Sequence, residues 1–502
     1  MKPIVLVHGY SAESPETTVQ AVAAIYGQLP QALRDAYGRK AVVEIDLSRY
    51  VTLEDGVTMD DLSRGLDRAL RAEFPHLLRG GFHVIAHSTG ALLIRNWVRR
   101  FSAQPCPIRN LIYLAGAVFG SGWAHLGQGQ LAKWARLVFA QGSERGLRVL
   151  DALELGSDWA IDLHLGFLKL GASLADDYGV SEYVIVGTQP ERTWFPIPMR
   201  YAKEDGSDGV VRVAASNVNF NYLRVGPSEE ALALAWSEAA AQIAARRERR
   251  EARRGLYDIK EESRPGFAGR PEVPLAITYG CSHSGEETGI LSGEKPRKQV
   301  FRLVRQALET QPGDWPAQVA VFRDQTAVTY RRARAGRVPR PWRQWITSPQ
   351  AQFDPHAQLI FRVRDQDRRP APHFDIFFTA REGADPSPLI GDLFEHNHVN
   401  RVSPHIITFY LRADAYSPRS GTWVPRVPQV NGCVLEISAV EPETEEIVYL
   451  PLRMELGRDQ LARLIEGHRT TVIDVELLRL PSPAIYRVLP YARPGRTRPP
   501  QG

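Results

Sequence analysis

Three polar residues of this chain are spaced as acyl-transfer chemistry would need them: Ser88, Asp208 and His283. A serine hydroxyl is a weak nucleophile until a base takes its proton, and the base needs a carboxylate to orient it. Ser88 lies in Phe82-His83-Val84-Ile85-Ala86-His87-Ser88-Thr89-Gly90, an apolar strand followed by x-H-S-x-G and an apolar helix. A sharp strand-to-helix turn around a nucleophile requires small residues two before and two after it. Ala86 and Gly90 fill those places, with Ala86 where Gly is usual. The plain alternative is a serine that caps a helix. The strand before it and the helix after it favour the nucleophile.

In a sheet enzyme of this kind the acid follows the serine in the chain and the base follows the acid. Ser207-Asp208-Gly209-Val210-Val211 sets an acid in a glycine-flanked turn after the strand Tyr183–Gly187. Asp208 is the acid expected, with Asp205 and Glu204 as nearby rivals. Pro274–Tyr279 reads as the last sheet strand and leads to Cys281-Ser282-His283, which makes His283 the expected base. His87, beside the serine, is read as packing. Cys281 lacks a turn of the nucleophile type and is read as an ordinary buried thiol. Glu395-His396-Asn397-His398 lacks a third ligand at metal-binding spacing, so neither a metal nor a cofactor is expected.

The negative charge that develops on the carbonyl oxygen needs backbone donors. Loss of one donor costs about 2.7–4 kcal/mol in a comparable case. One donor follows the nucleophile and the other comes from an early strand-to-helix loop. Val7-His8-Gly9-Tyr10 closes the first strand, so the N–H groups of Thr89 and Tyr10 are assigned to this role.

These residues need a scaffold. Ile4–Val7 is a short β-branched run suited to a buried parallel strand. Thr17–Tyr37 reads as helix, Ala41–Leu47 as strand and Met59–Phe74 as helix, with Leu62, Leu66, Leu70 and Phe74 at four-residue steps. Phe82–Ala86, Gly90–Phe101 and Leu111–Leu114 continue the alternation, which builds a parallel sheet with helices on both faces and sites at the strand carboxyl ends. From about 118 to 179 the rhythm stops. Leu131–Phe139 and Leu147–Leu170 are helical and apolar, either a lid insertion or an ordinary core pair. A helix after Ser228 ends in the charge run Arg246–Arg254, a solvated helix end or a patch for anionic lipid or a partner. After the helix Gln299–Glu309 come short runs rich in β-formers: Val319–Phe322, Leu359–Val363, Phe374–Thr379, Ile406–Leu411, Val434–Ile437 and Ile447–Leu450. The organisation expected is a catalytic domain over 1–298, a β-rich domain over 299–495 and a flexible tail over 496–502.

The 502 residues are 43% hydrophobic and 24% charged, ordinary for a soluble chain with a large core. A net charge of +5 suits an anionic membrane surface or nothing in particular, and no nucleic-acid partner is expected. The three cysteines form neither a disulfide framework nor a zinc spacing, which suits a reducing compartment. No signal peptide or membrane-spanning run is read, so the expectation is a cytoplasmic or peripherally membrane-associated protein.

The His-Gly strand end, the A-H-S-x-G turn and the S-D-G-x-V acid turn resemble the lipases of the α/β-hydrolase family over about residues 1–290. Leu114-Ala115-Gly116-Ala117-Val118-Phe119-Gly120-Ser121 is similar to their P-x-x-G-S segment without its Pro. More narrowly, H-S-T-G, the placement of the three residues, the length and a β-rich C-terminal part resemble the PlaB-type bacterial phospholipases A. That resemblance implies hydrolysis of phospholipids and lysophospholipids at acyl esters in a bacterial cell, membrane association and a homo-oligomer. Two other readings stay open: an esterase or acyltransferase on small soluble esters, and a lipid-binding scaffold with a decayed hydrolase domain.

Overall fold

Short apolar runs separated by amphipathic helices build the first part of the chain into a parallel sheet. The computed structural model describes residues 1–8, 26–45, 47, 50–51, 54–121, 147–170, 173–189, 205–235, 255–284, 287–291, 293–294, 296–336, 349–371, 373–381 and 388–481. The strands run β1 (Ile4–His8), β2 (Val42–Glu44), β3 (Phe82–His87), β4 (Ile108–Leu114) and β5 (Ser181–Gly187). Next, β6 (Asn221–Pro227) and β7 (Tyr257–Ser263) leave for a second sheet, and β8 (Leu275–Thr278) returns. The six-stranded order is β2-β1-β3-β4-β5-β8, with every pairing parallel. Both faces are covered, so the central strands are buried along nearly their whole length, Arg109 near the start of β4 being exposed. In β3 every residue from Phe82 to His87 is buried.

The helix Met59–Ala72 turns Met59, Leu62, Leu66 and Leu70 inward and starts on a Thr58–Asp61 capping box. The helix Gly90–Phe101 follows β3 directly. The helices Leu147–Leu153 and Asp158–Leu170 pack into the core. Val149, Leu153, Ile161, Leu163 and Phe167 belong to the same apolar cluster as the sheet. Residues 122–146, which include Leu131–Phe139, lie outside the described residues, as do the part of Thr17–Tyr37 before Tyr26 and the charge run Arg246–Arg254. The Ser228 hydroxyl caps the helix Glu229–Ala235, accepting from the Ala231 N–H at 3.1 Å.

The later part of the chain supplies β9 (His356–Asp365), β10 (His373–Thr379), β11 (Phe394–Val399), β12 (Ile406–Arg412), a separate ribbon of β13 (Asp414–Ser417) and β14 (Thr422–Pro425), then β15 (Cys433–Val440), β16 (Ile447–Leu450), β17 (Leu452–Leu456) and β18 (Thr470–Pro481). Together with β6 and β7 they make a ten-stranded sheet whose main path is β10-β15-β16-β18-β9-β12-β11. β17 adds to β15, and β6 runs parallel to β18 and carries β7. The expected parallel sheet followed by a mostly-β C-terminal part is therefore what the chain forms.

One run expected as strand is helix. Val319–Phe322 lies inside the helix Gln318–Arg334, whose buried positions Phe322, Gln325, Thr329 and Ala333 recur every three or four residues. Four apolar residues cannot distinguish the two states. The seventeen-residue helix is selected by what it covers, since β8 is the edge of the parallel sheet. The Ile277 N–H donates to Thr326 Oγ1 at 2.9 Å and the Thr329 hydroxyl donates to Ile277 O at 2.7 Å, so the helix satisfies an open strand edge. The helix Arg297–Glu309 packs on the same sheet, where Asn110 Nδ2 of β4 donates to its carbonyl at Ala307, 2.8 Å away.

Candidate active site

β3 ends at His87, and the next residue is forced into the left-handed region. Ser88 has φ of 52°, a backbone state that side-chain-bearing residues seldom hold. Its surroundings keep it there. The Ser88 N–H donates to Leu114 O of β4 at 3.2 Å, and Ser88 O accepts from Ala91 N and Ala117 N, each at 3.1 Å. Ala86 and Gly90 flank the turn and are buried. The turn sets Ser88 at the carboxyl end of the sheet, just before a helix that begins at Gly90.

The sheet delivers the other two groups to the same end. His283 lies five residues past β8, and its Nε2 is 3.1 Å from Ser88 Oγ. Its Nδ1 is 2.9 Å from Asp208 Oδ2. All three residues are at most 3% exposed. Asp208 is a tightly held carboxylate: Oδ1 accepts from Val210 N at 3.0 Å and Val211 N at 2.7 Å. The backbone joins as well, with His283 N–H donating to Asp208 O at 3.0 Å. Because Nδ1–H is given to the carboxylate, Nε2 is left as an acceptor facing the serine hydroxyl. The arrangement can draw a proton from Oγ and hold the resulting imidazolium.

The remaining expected residues sort as follows. Thr89 directly follows the serine in helical backbone conformation and is fully buried. Tyr10 and Glu204 lie outside the described residues. Asp205 does not face His283: its carboxylate is 3.7 Å from Arg412. His87 packs its ring against His283 with centroids 4.8 Å apart. Cys281 is buried, and burial pushes its thiol up to about 12, which leaves it without thiolate at neutral pH. Among the described residues no group of three His, Cys, Asp or Glu side chains could hold a metal ion, and no helix is long and apolar enough to cross a membrane. Glu395 instead bonds His356 and Arg412.

Sequence reasoning missed the residues that brace the acid turn. Ser121 Oγ donates to Val210 O at 2.5 Å. From the ten-stranded sheet, Tyr410 OH donates to Asp205 O at 2.8 Å, and the Arg212 guanidinium lies 4.1 Å from the centre of the Tyr410 ring. The glycine at 206, with φ of 72°, was the one local sign of a backbone that must pass close to something.

Neither a protein-family model nor a curated protein matches the chain. Solved structures that are similar over nearly its whole length include two of one phospholipase. Phospholipase PlaB from Legionella pneumophila has 23% identity and a TM-score of 0.74, covering 98% of this chain and 97% of that chain. The same phospholipase in complex with thio-NAD gives 22% identity with the same score and coverage. The mature form of the Bacillus licheniformis lipase BlEst2 is similar at a TM-score of 0.31 and 16% identity, over 43% of this chain and 79% of that chain. The chain thus has the fold of the Legionella phospholipase over 98% of its length, an α/β-hydrolase sheet joined to a β-rich C-terminal part.

Proposed function

We propose that this chain is a serine carboxylic-ester hydrolase of the phospholipase A and lysophospholipase A type. The observation that carries the reading is the continuous relay from Asp208 through both nitrogens of His283 to Ser88 Oγ, at 2.9 and 3.1 Å. Ser88 attacks the ester carbonyl while His283 takes its proton, and Asp208 stabilises the imidazolium without becoming protonated. The oxyanion is assigned to the N–H of Thr89, at the entrance of the helix Gly90–Phe101, and to that of Tyr10, whose role rests on the sequence pattern. His283 then protonates the leaving alcohol. A water attacks the acyl-enzyme by the same route and frees the fatty acid.

The lipid substrate is supported by the end-to-end likeness to a phospholipase rather than by the three residues, which any acyl ester would satisfy. Contact with a bilayer would then be peripheral, and self-association belongs to the same reading. The test is hydrolysis of defined phospholipid and lysophospholipid vesicles with product identification, in parallel with soluble short-chain esters, for the wild type and Ser88→Ala. Release of fatty acid by the wild type alone is expected. Equal turnover by Ser88→Ala would remove the mechanism, and turnover confined to monomeric soluble esters would remove the lipid.

A further inference from the structure

The acid turn is a tight chain reversal, and both of its legs are gripped by one side chain from the other sheet. Within the turn, Val213 N–H donates to Gly206 O at 2.9 Å and Asp208 N–H to Val211 O at 3.1 Å, so the legs 205–207 and 211–213 lie side by side. Tyr410 of β12 reaches both. Its hydroxyl donates to Asp205 O on the first leg, and its ring carries the Arg212 guanidinium of the second leg at 4.1 Å. Arg212 is 1% exposed and Tyr410 is 2% exposed, so neither contact is weakened by water. Gln352 O adds an acceptor for Gly206 N–H at 3.0 Å.

Tyr410 is itself held firmly. Its strand pairs with β9 on one side and β11 on the other, and its ring stacks on His356 at 4.6 Å with planes 7° apart. His356 Nδ1–H donates to Asp354 O at 2.7 Å, and Nε2 lies 3.1 Å from Glu395 Oε2. The fit against the turn leaves no spare room. A Cβ on Gly206 would lie 2.6 Å from His356 Nδ1 and 2.7 Å from the Tyr410 oxygen. Asp208 is three residues from Asp205 and four from Arg212, so the place of its carboxylate follows from where these two legs are pinned.

We infer that Tyr410 is a positioning residue for Asp208: through Asp205 and Arg212 the β-rich part of the chain sets the carboxylate that orients His283. The inference rests on the proposed triad. A displacement of about 1 Å in a catalytic group can cost roughly a hundredfold in rate, so a clip on this turn has leverage on turnover without touching substrate.

The experiment is a double-mutant cycle in the full-length chain, read as kcat and KM on a chromogenic acyl ester, using Tyr410→Leu, Asp208→Asn and the pair. Tyr410→Leu alone should lower kcat by roughly ten- to a hundredfold with KM changed less than about twofold. In the Asp208→Asn background it should change kcat less than about twofold, because the group it positions is already lost. An equal loss in both backgrounds, or no loss in either, overturns the inference. If Tyr410→Leu fails to fold, Tyr410→Phe runs the same cycle. Phe keeps the ring under Arg212 and removes only the hydroxyl, so a smaller loss, confined to the Asp208 background, is expected. Asp208→Asn with unaltered turnover would instead remove the triad reading, and this inference with it.

Discussion

His283 Nε2 stands 3.1 Å from Ser88 Oγ although 195 positions of chain separate the two residues. They meet because β3 and β8 are parallel members of one sheet and both chain segments leave it at the same end. The third member makes a sharp prediction. Asp208→Asn keeps the size of the side chain but offers an N–H to His283 Nδ1, which favours the tautomer with its proton on Nε2, facing Ser88. Turnover of an activated ester should fall by about 10⁴, with the fold intact, as for a comparable triad. Steady-state kinetics beside a thermal melt checks it. A loss of less than about tenfold in a folded variant would contradict the assignment.

Gly187 closes β5 where the loop that carries His283 crosses it. A Cβ there would lie 1.9 Å from Cys281 O and 2.6 Å from Cys281 C, both backbone atoms two residues before His283. Something must move, and the atoms it meets belong to the loop that carries His283. Gly187→Ala should destabilise the chain by about 1–3 kcal/mol, the usual cost of overpacking. It should also lower ester turnover more than the stability loss explains, because the imidazole moves with the loop. Gly313→Ala, with nothing within 4 Å of the new methyl, is the control and should be neutral in urea unfolding and in kinetics.

Local rules made much of this legible. The small residues around Ser88, the glycine-flanked Asp208 and the strand before His283 are short-range signals of backbone geometry, and each falls where the geometry places it. The β-rich runs after residue 356 were also readable, since alternation and turn residues are local. Val319–Phe322 was not, because its state is decided by the open edge of β8 some forty residues earlier. The exchange of β6 and β7 into the larger sheet was equally hidden. Asn221–Val225 pairs with Thr471–Val475, a partner about 250 positions away, and nothing in either run names the other. Tyr410 belongs to the same class: it touches the acid turn from a different sheet.

Acid should weaken the fold, and His83 is one reason. It is 6% exposed and its Nδ1 has no hydrogen-bond partner. Burial, with Lys2, the amino terminus and Arg109 nearby, lowers its pKa to about 4. Burial takes His468 to about 3. An unfolded histidine titrates near 6.5, so between about pH 6.5 and 4 the unfolded chain binds protons that the folded chain refuses, and stability falls as pH falls. For His83 alone the loss is about 3 kcal/mol. Asp354, raised to about 6 by burial, acts in the opposite sense over part of that window, as do Asp151, Asp177 and Asp414 with smaller upward shifts. Fully buried His164, held well below the usual imidazole range, adds to the two histidines. The urea midpoint should therefore drop between pH 7 and pH 4.5, and His83→Gln should flatten the slope. An unchanged slope in that variant would show that the lability lies elsewhere.

Arg362 is one of several ionic ties between the two parts of the molecule, beside Arg364 on Asp158 and Arg401 on Glu154. It sits on β9 at 3% side-chain exposure, and its Nε and Nη2 fork onto Asp474 of β18, each at 2.7 Å. Its Nη1 meets Asp158 at 2.9 Å and Asp162 at 2.6 Å on the helix Asp158–Leu170 that packs in the parallel-sheet core. The planar fork suits guanidinium alone, so Arg362→Lys cannot reproduce both bonds to Asp474. Arg362→Met keeps the stem's packing, strips Asp474 of its guanidinium fork and leaves Asp158 with Arg364 as its remaining guanidinium; the two carboxylates are 15% and 30% exposed. Breaking one side of a buried ion cluster typically costs 3–5 kcal/mol, and about 3 kcal/mol is expected here because both carboxylates keep some access to water. Asp162 is 61% exposed, so Asp162→Asn should cost less than about 1 kcal/mol. Urea unfolding of the three variants decides the matter. A large loss in Asp162→Asn with a small one in Arg362→Met would mean that the tie is a surface pair, and that the buried Arg362 cluster does not hold the helix against the second sheet.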